Sequence, residues 1–229
     1  MTAVIIYGPP GSGKGTQAKL LADKFGLIHF DTGQYLRELL YNSKFCKDKI
    51  IQKELWLNKT GKLNTPSWIL KIVSQRVKKI ARLEQGVVFS GSPRTIFEAF
   101  GGKKRIGLMR LLEKLYNKEN IFIFTLNISP KESIKRNTSR LFCSVCHTPI
   151  MAQKNKLNNC PFCGGKLKYR IDDGKEIILA RLKEYRERTL PIQKELKKCG
   201  YKIININGEP LPEKVHKKIS SYLPVGRQI

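Results

Sequence analysis

Residues 8–17 read Gly-Pro-Pro-Gly-Ser-Gly-Lys-Gly-Thr-Gln, and these residue types in this order suit the gripping of a polyphosphate. The glycines, Gly11, Gly13 and Gly15 among them, let backbone N–H groups close on an anion together with that of Ser12. Lys14 adds a mobile full charge, and Thr16 is a natural hydroxyl ligand for a magnesium ion bridging phosphates. A second set of chemical residues lies far along the chain. Cys143-x2-Cys146, thirteen intervening residues and Cys160-x2-Cys163 have the spacing of two knuckles that close a tetrahedral four-cysteine zinc site. Four thiolates leave no open position on the ion, so the expected role is structural. Disulfides are the alternative, but they belong to oxidising compartments and nothing in the chain points to secretion. His147 lies beside one ligand without being needed, and Cys46 and Cys199 read as ordinary apolar residues.

The loop needs a strand and a helix on either side of it. Ala3 to Tyr7 is an apolar run suited to a buried parallel strand, and Ala18, Leu21, Ala22 and Phe25 fall on one face of a helix. The helix would add its positive N-terminal end to the anion site. Further strand-like runs are Val87 to Phe89, Ile121 to Leu126 and Tyr201 to Ile206. Helical spacing marks Ile69 to Ile80, Leu108 to Leu115 and Ile178 to Tyr185 between and after them. Strands alternating with helices predict an α/β fold, a parallel sheet covered on both faces, whose ligands bind beyond the carboxyl ends of the strands. Two segments interrupt the alternation. Residues 31–66 form a helical insertion between the first and second strands, and residues 140–173, with the cysteines, read as an inserted flap. The core is then 1–30, 67–139 and 174–223, and the patternless tail 224–229 is expected to be disordered.

With 229 residues, the chain is long enough to bury a proper centre. No run has the length of a membrane span and the start lacks a signal peptide's basic residues, so the expectation is a soluble, cytoplasmic protein with no membrane partner. Its 44 Lys and Arg against 18 Asp and Glu give a net charge of +26, which attracts nucleotides and nucleic acid alike. The lysines are spread along the chain without an aromatic-rich patch, which favours a solvated surface over a nucleic-acid track.

Several segments in fixed order resemble those of adenylate kinases. The glycine loop resembles the family's phosphate loop in having Gly15 between the lysine and Thr16. Asp31-Thr32-Gly33-Gln34-Tyr35-Leu36-Arg37 is similar to its monophosphate motif, Thr60-Gly61-Lys62-Leu63 to its strip beside the base, and Gly91-Ser92-Pro93-Arg94-Thr95 to its Gly-Phe-Pro-Arg-Thr turn. Arg136 and Arg140 precede the flap, Arg170-Ile171-Asp172-Asp173 closes it, and Arg181 to Tyr185 follows. The likeness spans about residues 3 to 206 and includes a zinc-bearing lid found in one branch of the family. It implies a P-loop three-layer fold with two mobile insertions, ATP as donor with magnesium, a nucleoside monophosphate such as AMP as acceptor, and a monomer. By that likeness, Gly11 to Thr16, Arg136 and Arg140 hold ATP. Thr32, Gly33, Arg37, Lys62, Gly91, Arg94 and Glu98 hold the monophosphate, with Arg170 and Arg181. Lys14, Arg94, Arg140, Arg170 and Arg181 would surround the group in transit. Asp172 and Asp173 would pair with arginines when the lid shuts, or cap the following helix.

Three positions depart from the family pattern. Ser90 stands where an aspartate normally orders water around magnesium, Gln34 replaces a second carboxylate near the metal, and Glu98 stands where a glutamine usually reads the adenine edge. An ionised glutamate only accepts hydrogen bonds, and guanine, with an N–H and an amino group side by side, would suit it better than adenine. AMP stays first by the remaining motifs, with GMP or a pyrimidine monophosphate as the alternative. From another class, a zinc-knuckle nucleic-acid binder carrying a P-loop is the competing reading. Its cysteines are flanked by few stacking aromatics, Phe142, Phe162 and Tyr169.

Overall fold

The computed structural model describes residues 1–42, 47–146, 148–151, 157–169 and 174–224. The chain runs β1 (Ala3–Tyr7), α1 (Lys14–Phe25), β2 (Leu27–Phe30), α2 (Thr32–Leu40), α3 (Lys49–Lys59), α4 (Pro66–Arg82), β3 (Gly86–Phe89) and α5 (Ile96–Phe100). It continues through a two-residue hairpin pair β4 (Gly101–Gly102) and β5 (Arg105–Ile106), α6 (Leu108–Tyr116), β6 (Ile121–Asn127) and α7 (Pro130–Thr138). Then come β7 (Arg140–Cys143), β8 (Pro149–Met151), β9 (Leu167–Tyr169), α8 (Lys175–Glu184), a π-helical turn at Tyr185–Thr189, α9 (Leu190–Lys198), β10 (Ile203–Asn207) and α10 (Pro212–Ser220).

A five-stranded sheet in the order β10-β6-β1-β3-β2 organises the molecule, every neighbouring pair parallel. Period-two alternation along the inner strands sends side chains to opposite faces. Ala3, Ile5 and Tyr7 of β1, Val87 and Phe89 of β3 and Ile121 and Ile123 of β6 join one core, with Leu70, Val73 and Val77 of α4, Leu112 of α6 and Ile192 of α9. Val4, Ile6, Val88, Phe124 and Leu126 face the other way, onto Ala18 and Leu21 of α1 and Val215 and Ile219 of α10. Two cores on one sheet make the expected α/β/α sandwich.

The sequence pattern gives four strands for this sheet, which has five among the described residues. The additional one, β2, is an edge strand of Leu-Ile-His-Phe that pairs with β3 directly after the glycine that ends α1. Its first three residues are only half-buried, and four residues with a histidine among them leave too short an apolar run to separate from the helix before it. The consequence is functional: Phe30 pairs with Phe89, so Asp31 and Ser90 leave the sheet side by side at its carboxyl edge.

The cysteine segment forms its own antiparallel sheet, in the order β8-β7-β9. Of the expected disordered tail, residues 225–229 lie outside the described residues, as do Cys46, His147, Arg170, Asp172 and Asp173. Among the described residues, no helix is long and apolar enough to cross a membrane.

Candidate active site

The glycine loop leaves β1 and ends at Gly13, which caps α1 in the left-handed conformation at φ 90°, a backbone geometry that a residue with a Cβ rarely adopts. The first turn of α1 has no acidic side chain, so its free N–H groups face the loop with no competing anion of their own. Lys14 Nζ donates to the carbonyl oxygens of Gly8 (2.8 Å) and Pro9 (2.7 Å) and to Ser12 Oγ (3.4 Å), which folds the side chain back over the loop. Ser12 is buried, while Gly11, Gly15 and Thr16 are partly open to solvent.

The loop is braced from outside by α7. Ser133 Oγ donates to Pro10 O at 2.6 Å, and Asn137 Nδ2 donates to Ser133 O at 2.7 Å, both side chains with no solvent exposure. A Cβ on Gly11 would lie 2.6 Å from Asn137 Nδ2, so glycine is what lets α7 pack this closely. Neither brace residue was legible in the sequence, because a polar pair four apart on a helix reads as a solvated face. Ser129 and Pro130 begin α7, the serine accepting from Glu132 N–H.

A second turn arrives from β3. Arg94 Nε donates to Gly91 O at 2.8 Å, its backbone N–H donates to Glu98 Oε2 at 2.8 Å, and its carbonyl accepts from Thr189 Oγ1 at 2.9 Å. Thr189 closes the π-helical turn that follows α8, so one buried hydroxyl ties the Arg94 turn to the helix carrying Arg181. No local residue pattern signals this tie. Thr32, at the start of α2, donates to Ser92 Oγ at 3.1 Å and joins the same turn to the monophosphate motif. Glu98 is buried, and its second oxygen accepts from Thr95 Oγ1 at 3.1 Å, so both carboxylate oxygens face the turn.

The arginines named from the sequence converge here as far as the described residues allow. A Cβ on Gly33 would lie 3.4 Å from Arg37 Nη1 and 3.9 Å from Arg94 Nη2, which places both guanidinium groups against one bare stretch of backbone. Burial lowers the pKa of Lys14 well below its ordinary value, and the charges of Arg94, Arg181 and Arg140 lower it further, against the opposing pull of Asp31. Burial likewise lowers Arg94, with Arg181 and Arg37 adding repulsion and Glu98 and Asp31 relieving it. Five cations thus sense one another in a small volume, an arrangement that favours a multiply charged anion between them. Arg140 stacks on Phe142, its Cζ 4.8 Å from the ring centre, and donates to Asn137 Oδ1 at 3.1 Å.

Two named residues stand apart from this cluster. Arg136 donates to Glu132 Oε1 (2.7 Å) and to the carbonyls of Gly208 (2.9 Å) and Glu209 (2.8 Å) beyond the end of β10, where a Cβ on Gly208 would lie 3.2 Å from Ser12 O of the glycine loop. Lys62 is exposed, its ammonium 5.1 Å from the centre of the Trp56 ring. Beside it, Gly61 packs against α8, where a Cβ would meet Ile177 Cγ2 at 3.0 Å, and the strip is anchored by buried Glu54, which accepts from Asn64 Nδ2 and Thr65 N–H.

In the antiparallel segment the four cysteine sulfurs lie within 4.8 Å of one another. Cys143 and Cys163 Sγ are 3.3 Å apart and Cys146 and Cys160 Sγ 3.7 Å, all four as free thiols. Zinc–sulfur bonds of about 2.3 Å in a tetrahedron set sulfurs about 3.8 Å apart, so the set fits a single such ion. The N–H groups of Val145 and Cys146 point at Cys143 Sγ at 3.4 Å each, a turn that stabilises a thiolate. Hydrogen bonds with Thr148 hold the Cys146 thiol at about 6, against the opposing effect of burial. For magnesium, the oxygen donors that a hard ion prefers are present where the first turn of α1 meets the end of β2: Thr16, with Asp31 Oδ2 3.9 Å from the position of a Cβ on Gly15.

The family model described as Adenylate kinase matches residues 6–201. The chain belongs to the adenylate kinase family. It is 33% identical over 222 residues to an adenylate kinase of Methanothrix thermoacetophila, covering 96% of this chain and 97% of that protein. An adenylate kinase of Archaeoglobus fulgidus is 32% identical over 96% of this chain and 97% of its own length. One from Chlamydia trachomatis is 31% identical over 82% of this chain and 77% of its own. Membership makes the protein an ATP-dependent phosphotransferase of the nucleoside monophosphate kinase class, and it accounts for the polyphosphate loop and the arginine cluster standing at one sheet edge.

Proposed function

We propose that this adenylate kinase homologue transfers the terminal phosphoryl group of ATP to AMP, giving two ADP. The observation that carries the reading is the convergence of Lys14 with Arg37, Arg94, Arg140 and Arg181 at the carboxyl edge of the sheet. Phosphoryl transfer between two nucleotides asks little covalent chemistry of a protein. The acceptor is already an anion, so positioning and charge neutralisation do most of the work.

In this mechanism Gly11 to Thr16 wrap the donor phosphates with backbone N–H groups. Lys14 exchanges the Gly8 and Pro9 carbonyls for phosphate oxygens, a swap that also relieves its repulsion by the arginines. Arg37 and Arg94 hold the acceptor phosphate over Gly33 and Gly91, where planar guanidinium groups bind two oxygens each. Arg140 and Arg181, with Arg170, take up charge on the group in transit. Arg136 lies against the donor base through its planar face, its N–H groups being committed to Glu132 and the β10 end. Magnesium, when bound at Thr16, offsets charge on the donor oxygens. Cys143, Cys146, Cys160 and Cys163 would hold zinc, which would stiffen segment 140–173, whose described residues join neither hydrophobic core, and that segment and 31–66 would close over the two nucleotides to exclude water. The monophosphate lies along Thr32, Gly33, Lys62 and Gly91, with Glu98 holding the Arg94 turn beside it, and the enzyme acts as a cytoplasmic monomer.

AMP is taken over GMP because each oxygen of Glu98 already accepts within the turn, from Arg94 N–H and Thr95 Oγ1, which reduces what the carboxylate can offer a guanine edge. A coupled assay of diphosphate formation with ATP and AMP, GMP, CMP or UMP tests this. Fastest turnover with AMP is the expected result; a preference for another monophosphate reassigns the acceptor, and turnover of none refutes the reading.

A further inference from the structure

We infer a second nucleotide site, away from the glycine loop, in the cavity between α3 and the start of α4, and assign it to a nucleoside monophosphate whose base presents N–H donors, guanine above all. The cavity has a volume of about 300 Å³, at the lower end of the range for small-molecule sites. Ile50, Lys53 and Glu54, spaced i, i+3 and i+4 on one face of α3, form one wall. Trp68 and Lys71, three apart on α4, form the other with Arg105 of β5.

The lining divides by chemistry from the inside out. Glu54 is 1% exposed, and its carboxylate accepts from Asn64 Nδ2 at 3.0 Å and from Thr65 N–H at 2.9 Å, both at Oε2. These two bonds fix the side chain, and among the described residues none donates to Oε1. A carboxylate oxygen at the inner wall suits the N–H and amino group that guanine presents side by side. Trp68, partly buried against the first core, supplies an aromatic wall for the base. Lys53, Lys71 and Arg105 are exposed at the mouth, where Arg105 Nη1 donates to Ser67 O at 2.9 Å with one of the five N–H groups a guanidinium carries. Three cations there suit a phosphate. A bare anion would meet the carboxylate as well as the cations, whereas a base followed by a phosphate meets each with its complement. Because α3 lies in segment 31–66 and α4 and β5 lie in the core, an occupant ties the two together. Slower turnover without competition against either substrate is the consequence, and it alone rests on the kinase reading above.

Equilibrium dialysis of radiolabelled GMP against wild type, the double charge reversal Lys53→Glu, Lys71→Glu, and Arg37→Ala tests the site, with KM for AMP measured beside it. Both lysines are exposed, so the reversal leaves the packing of α3 and α4 in place. It is expected to weaken GMP binding about tenfold while KM for AMP stays within about twofold, and Arg37→Ala is expected to keep GMP binding. Inorganic phosphate and guanosine should each displace GMP far less well than GMP itself. Wild type that binds no GMP, a charge reversal that binds it unchanged, or phosphate that competes as well as GMP overturns the inference. Loss of GMP binding in Arg37→Ala alone also overturns it, by placing the nucleotide over Gly33. GMP binding of the expected pattern in an enzyme that turns over no monophosphate would uphold this site and refute the kinase reading instead.

Discussion

Replacing Glu98 by glutamine separates a residue that reads the base from one that builds the turn. The carboxylate is buried and accepts two hydrogen bonds, from Arg94 N–H at 2.8 Å and from Thr95 Oγ1 at 3.1 Å, while Thr95 Oγ1 itself accepts from Glu98 N–H. Glutamine has one acceptor oxygen. With that oxygen on Arg94 N–H, its amino group meets the Thr95 hydroxyl and leaves one buried donor unsatisfied, at a cost of about 1–3 kcal/mol. A second effect opposes this. Burial raises the Glu98 pKa in spite of both hydrogen bonds, so ionising it in the folded state carries a penalty that the neutral amide avoids. The net expectation is a loss of about 1 kcal/mol, a fall in Tm of about 2–4 °C, with KM raised for every monophosphate by a similar factor because the Arg94 turn loosens. The pH dependence has a definite sign. A carboxyl whose folded pKa is raised costs no stability below its unfolded value, and the cost grows as pH rises from there through the folded pKa. Wild type should therefore lose stability relative to Glu98→Gln across that interval. Thermal melts at several pH values and the four-monophosphate panel provide the readings. An unchanged Tm together with a switch in base preference would refute this account and make Glu98 a base reader.

Three further outcomes follow from the same geometry. Lys14→Met should lower kcat/KM by about 10²–10³ in steady-state assays, because it removes the mobile charge that would meet the donor phosphates. Ser133→Ala strands the Pro10 carbonyl, with an expected cost of about 1 kcal/mol and a roughly fivefold higher KM for ATP, while KM for AMP stays put; equal changes in both would show that the brace acts on the whole fold. Cys146→Ser should abolish binding of zinc, measured by atomic absorption, and lower Tm, whereas a metal content equal to wild type would remove the four-sulfur site from the reading.

What could be read ahead of the structure was whatever the chain writes locally. The loop, its lysine and its hydroxyl are consecutive, so their chemistry follows from spacing alone, and β1, β3 and β6 are apolar runs because both faces of each are buried. The paired cysteine knuckles are local in the same sense. Strand β2 escaped because an edge position needs less apolar surface, and with it went the adjacency of Asp31 and Ser90, which only the strand register expresses. Ser133, Asn137 and Thr189 escaped for a related reason: each is a polar side chain that earns its burial through one distant carbonyl or a neighbour on the same helix, a contact without a sequence period. The arginines were found through resemblance, since a chain with 44 Lys and Arg offers no local ground for choosing among them. Tertiary structure supplies that ground. Arg94 and Arg181 are distinguished from other surface cations because a π-helical turn delivers Thr189 to the Arg94 carbonyl and so brings two like charges together. Such repulsion persists in a folded chain when the surrounding packing over-determines it, and the binding of a polyanion is what converts it from a cost into affinity.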